Sequence, residues 1–139
     1  MRLWHKDLIP VLPGAQLVAQ WRELSAIAGK ILTDGTPNHI LVNKVINFPM
    51  DDFITYAQLV RNEMTKRGYR TMDRVWNKIV SVDEHWDKVS YDLLYDSWMN
   101  NTYLTICYYN LYEKFICHGI ERQEWNKIEE LYQNKIKGK

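Results

Sequence analysis

The chain has 139 residues, 46% apolar and 13% aromatic, enough to bury one core without metals or disulfides. No apolar run approaches the roughly 18 residues of a membrane span, and no charged-then-apolar leader opens the sequence; the expectation is a cytoplasmic protein with no membrane association. The net charge of +1 hides an asymmetry: residues 1–78 carry 11 Lys and Arg against 7 Asp and Glu, whereas residues 79–139 carry 7 against 10. A polyanion partner fits one side of the molecule only, although a solvated helix face would read the same on charge alone.

Taken in chain order, Pro10 and Pro13-Gly14 close a short N-terminal segment. Leu17, Trp21, Leu24, Ala28 and Ile31 then recur at spacings of three and four, which predicts a first amphipathic helix. Residues 33–38 have turn chemistry, and the apolar stretch from His39 to Phe48 suits a short helix or an extended connection, the helix being the favoured reading. Pro49 with Asp51 and Asp52 marks another helix start, since proline suits the first turn and carboxylates the positive end of the dipole. Its buried face is Phe53, Tyr56, Ala57, Val60 and Met64, and Gly68 is its left-handed cap.

Val75, Trp76 and Ile79 predict a further short helix, and Trp86, Leu93, Leu94 and Trp98 have helix-compatible spacing across the acidic stretch 81–100. Asn100 or Asn101 caps the next helix, which runs through Leu104, Tyr108, Leu111 and Phe115 towards Gly119. A last amphipathic helix spans 121–137 with Trp125, Ile128 and Leu131 on one side. Cys107 and Cys117 are ten residues apart along a helix, about 15 Å of rise and too far for a disulfide. The reading is an all-α protein, one compact domain of several helices over residues 1–139.

The common enzymatic signatures are absent: there is no Gly-rich phosphate loop, no nucleophile elbow and no zinc helix. The four histidines are scattered, and neither a metal nor a cofactor is expected. What stands out is Trp21-Arg22-Glu23-Leu24. Trp21 and Leu24 belong to the apolar stripe, so Arg22 and Glu23 flank it, and Gln16, Gln20 and Glu23 share one side at i, i+4, i+7. Ser25, Ala26, Ala28 and Gly29 then follow, all small enough for something to approach the helix closely. An ordinary amphipathic helix packed on a neighbour would look the same.

The opening Met1-Arg2-Leu3-Trp4, the helix from Gln16 to Leu24 and the later Lys66-Arg67-Gly68-Tyr69 resemble the pyrimidine dimer DNA glycosylase/AP lyase family of the phage endonuclease V type, as a divergent cellular member. The resemblance covers about the first half of the chain. It implies a repair enzyme acting on double-stranded DNA with damaged bases, without cofactor or metal, whose nucleophile is the protein's own α-amine. An α-amine near pKa 7.7–8 is substantially neutral at about pH 7–8, unlike an ordinary lysine. Carried over by this resemblance, the catalytic groups are the amine of Met1, the carboxylate of Glu23 and Arg22 against the DNA or the flipped-out nucleotide. Arg2 would hold a phosphate, and Arg61, Lys66, Arg67 and Arg70 are candidates for further backbone contacts.

Departures are also visible. The bulk of Arg2 should keep Met1 in place, whereas family members expose a small residue. Gln16 stands where the family has a histidine, and Ala26 where it has a second arginine that grips DNA. The family's C-terminal Trp and Tyr cluster has Trp125 and Tyr132 as its nearest candidates, which could equally be core. Two other functions fit the residues: a non-catalytic nucleic-acid-binding module of the same fold, and a helical protein-interaction domain using the aromatic second half.

Overall fold

A computed structural model describes residues 2–34 and 40–137. Among them all regular structure is helical: a 3-10 helix at Lys6–Val11, then α1 (Gly14–Asp34), α2 (Ile40–Ile46), α3 (Met50–Lys66), α4 (Asp73–Val80), α5 (Asn101–Ile116) and α6 (Arg122–Lys137). None is long and apolar enough to cross a membrane. Much of the turn expected over 33–38 lies outside the described residues.

Packing groups the chain into two compact units. The first comprises Val18–Tyr95 together with the start of the chain up to Leu3, and the second comprises Trp4–Leu17 and the stretch from Asp96 onward.

In the first unit α3 packs against α2 and α4. Helix α1 buries Trp21, Leu24, Ile27 and Ala28, and α3 buries Phe53, Tyr56, Ala57, Val60 and Met64. Helix α3 starts after Pro49 with Asp51 and Asp52 in its first turn and ends before Gly68, whose φ of 89° is the left-handed conformation that glycine adopts without strain.

The acidic stretch 81–100 departs from its helical spacing. It forms successive turns, and the reason is a competition for its backbone amides. Asp87 N–H donates to Asp51 Oδ1 (3.1 Å), Val89 N–H to Thr55 Oγ1 (3.0 Å) and Tyr95 N–H to Asp52 Oδ1 (3.2 Å). A helix would need those amides for its own carbonyls. Tyr95, at a φ of 51°, further interrupts any regular run.

In the second unit α5 and α6 pack as a helical hairpin and α6 also meets the 3-10 helix. Asn100 caps α5 by accepting from Tyr103 N–H (2.9 Å). Tyr108 and Tyr132 stack at 3.8 Å with an interplanar angle of 10°, and Phe115 stacks on Trp125 at 5.2 Å. Cys107 and Cys117 are free thiols, the first buried and the second exposed.

Candidate functional site

The first unit holds a buried chain of polar contacts at one edge of α1. Position 20 is three residues after Leu17 and four before Leu24, so the helix carries Gln20 into the apolar stripe, where it is fully buried. A buried amide must find partners for both its ends. Its Nε2 donates to the carbonyl of Arg2 (2.9 Å) and to Oε1 of Glu23 (3.2 Å), and its Oε1 accepts from the hydroxyl of Tyr56 on α3 (3.0 Å). The carbonyl and the carboxylate can only accept, which fixes the amide nitrogen towards them and the oxygen towards Tyr56. One side-chain amide therefore ties the second residue of the chain to Glu23, and α3 holds that amide in place.

Glu23 itself is half-buried, and Arg22 beside it is exposed. Neither has an ion pair among the described residues. Gln16, two turns before Glu23, is half-buried, and its Oε1 is buried with no hydrogen-bond partner among the described residues. Met1, the expected nucleophile, lies outside the described residues.

The other expected cations divide into two kinds. Arg61 donates to Asp73 Oδ1 (2.6 Å) and Thr71 Oγ1 (2.9 Å) and lies over the Trp76 ring at 5.4 Å. Arg67 donates to Glu63 Oε2 one turn earlier (2.8 Å). Lys66 and Arg70, in contrast, are exposed and have no ion pair among the described residues.

A cavity of about 830 Å³ lies between α3 and α4, lined by Arg61, Arg70, Gln58, Asn62 and Trp76 among others. It includes none of Arg2, Arg22 or Glu23.

His5 and Lys6, in the second unit, are both buried. His5 Nδ1 accepts from Asp7 N–H (3.0 Å) at the start of the 3-10 helix. Burial lowers its pKa below the ordinary histidine value, partly offset by the neighbouring Asp7 carboxylate. Trp125 and Tyr132 are buried in their own helical hairpin. Among the described residues no group of three or more His, Cys, Asp and Glu side chains could hold a metal ion.

Sequence reasoning put Gln20 on the polar side of α1 and Tyr56 in the buried face of α3, but gave neither of them, nor Lys78, a role at the site. Gln20 could have been found from its place inside the apolar stripe rather than beside it. Tyr56 had no such signal, because a buried aromatic does not reveal what its hydroxyl meets. Lys78 sends its Nζ to Ser25 Oγ (3.3 Å), so what approaches the small residues of α1 is a lysine from α4.

The family model for pyrimidine dimer DNA glycosylase matches residues 1–77, just over half of the chain. No curated protein and no solved structure matches the chain.

Proposed function

The chain belongs to the pyrimidine dimer DNA glycosylase family, and we propose that it is a DNA repair glycosylase with AP lyase activity, working through the α-amine of Met1. The single observation that supports this mechanism most is the Gln20 amide, shared between the Arg2 carbonyl and the Glu23 carboxylate. Covalent geometry keeps the α-carbon of Met1 about 3.8 Å from that of Arg2. Glu23 has no ion pair among the described residues, which supports its pairing with an amine so tethered in this reading.

In this mechanism the neutral amine attacks C1′ of the damaged nucleotide as the glycosidic bond breaks and the base leaves with the bonding electrons. Glu23 balances the positive charge that builds on the sugar and accepts a proton from the attacking amine. Ring opening gives an iminium between Met1 and C1′. Loss of a C2′ proton then expels the 3′ phosphate by β-elimination, and water releases the enzyme from the sugar. Arg22 and Arg2, with Lys66 and Arg70, hold backbone phosphates. Arg61 and Arg67 already have carboxylate partners and are given no phosphate in this reading.

Borohydride trapping tests this reading. The protein, with its N-terminus established by intact mass, is mixed with duplexes bearing an abasic site or a thymine dimer. The expected result is a covalent adduct on Met1, with Glu23→Gln reducing its rate by roughly 10²–10⁴ while the helical fold is kept. No adduct on either substrate from a free Met1 amine would overturn it.

One observation favours a second reading, a protein-interaction domain. Ile106, Tyr109, Tyr112 and Ile116 on α5 are 41–57% exposed, an apolar strip along one helix. That reading predicts no affinity for DNA even at low salt.

A further inference from the structure

Lys78 differs from the other basic residues around α4. Its ammonium reaches across to α1, donates to Ser25 Oγ (3.3 Å) and meets no carboxylate at ion-pair distance among the described residues. The end of its side chain lies against the α1 backbone itself: a Cβ placed on Gly29 would stand 3.2 Å from Nζ and 3.3 Å from Cε. Ser25 is one turn after Arg22, and Gly29 one turn after Ser25, so all three lie on one side of the helix. That side therefore carries two cations, the exposed guanidinium of Arg22 and an ammonium supplied by α4.

The hydrogen-bond chemistry also points outward. An ammonium has only donors, so Lys78 occupies a lone pair of Ser25 Oγ and leaves the serine O–H to donate elsewhere. An ammonium, a guanidinium and a hydroxyl donor on one helix side suit a phosphodiester. We propose that Lys78 binds a backbone phosphate of the DNA together with Arg22, and so positions the strand on α1 beside Glu23. Lys78 lies one residue beyond the stretch that the family model matches. The inference rests on the reading that this chain acts on duplex DNA.

Fluorescence anisotropy tests it, with a labelled duplex carrying one tetrahydrofuran abasic analogue titrated between about 50 and 200 mM KCl. Lys78→Gln is expected to reduce the slope of log affinity against log salt by about one. Its affinity loss at the low-salt end then exceeds that at the high-salt end by roughly three- to fourfold. Lys78→Arg should restore the slope. Circular dichroism and Tm establish that each variant is folded, and a lysine with a purely structural role would move Tm but not the slope. A wild-type slope in folded Lys78→Gln overturns this proposal alone. A wild-type protein that neither binds this duplex at low salt nor gives a borohydride adduct overturns the glycosylase reading and this proposal with it.

Discussion

Helices α1 and α3 meet through a buried glutamine and a tyrosine hydroxyl, whereas α5 and α6 meet through stacked rings. The two kinds of contact do different work. Ring packing is strong and tolerant of small shifts, because dispersion and apolar burial depend on area more than on direction. A buried amide is directional, and it costs free energy whenever one of its ends is left unmatched. The α5–α6 contact thus rests on buried area, and the α1–α3 contact fixes the positions of particular atoms: the Arg2 carbonyl, the Glu23 carboxylate and the Tyr56 hydroxyl. The family match falls on the half that contains this directional network.

The largest effect on stability is expected where the rings are. Trp125 is 2% exposed and touches Tyr108, Tyr112 and Phe115, so Trp125→Ala should cost about 3–5 kcal/mol. Urea denaturation reads the loss, and amide hydrogen exchange should show α5 and α6 losing protection first. A loss below about 1 kcal/mol would mean that ring packing is not what holds this unit.

Gln20→Leu is the counterpart in the first unit. The shape is nearly kept, but the Arg2 carbonyl, the Glu23 carboxylate and the Tyr56 hydroxyl all lose this partner, for a cost of about 1–3 kcal/mol. Stability falls less than for Trp125→Ala, yet the rate of borohydride trapping should fall more. Trapping at the wild-type rate in folded Gln20→Leu would show that this amide does not position the reacting groups.

How much of this was legible in the sequence follows the same division. The apolar stripes of α1, α3 and α6 predicted their helices, because burial of an amphipathic face is a local pattern. A cap at Asn100 or Asn101 was readable, and Gly68 as a helix stop, for equally local reasons; the structure gives the cap to Asn100. The stretch 81–100 was not readable: the groups that unravel it are Asp51, Asp52 and Thr55, more than thirty residues earlier. Glu23 was visible as a flank of the stripe, but its link to Arg2 runs through a glutamine whose partners come from two other segments. The division of Arg61 and Arg67 from Lys66 and Arg70 was hidden as well, since ion pairing between elements leaves no trace in composition.

A smaller effect should follow pH in the second unit. Burial lowers the His5 pKa, so the unfolded chain takes up a proton first as pH falls below about 6.5. Stability is complete above that value and declines as pH drops towards the folded pKa. His5→Asn keeps a side-chain acceptor for Asp7 N–H and removes the titration, so its urea midpoint should change less than wild type between about pH 7 and pH 5. Equal pH dependence in the two proteins would assign the acid sensitivity to other groups.

The smallest effect separates the paired cations from the unpaired ones. Arg61 is bound to Asp73, but that carboxylate is 89% exposed, and an ion pair so well solvated contributes about 0–1 kcal/mol. Arg61→Gln should therefore change stability by no more than about 1 kcal/mol. Because the guanidinium is already held by Asp73 and Thr71 over Trp76, its loss should also leave the salt dependence of DNA binding unchanged. Arg22→Gln, by contrast, should lower that slope by about one. If Arg61→Gln lowers the slope as much as Arg22→Gln does, the Asp73 pair opens when DNA binds, and the DNA-contacting surface extends from α1 to the α3–α4 cavity that Arg61 and Arg70 line.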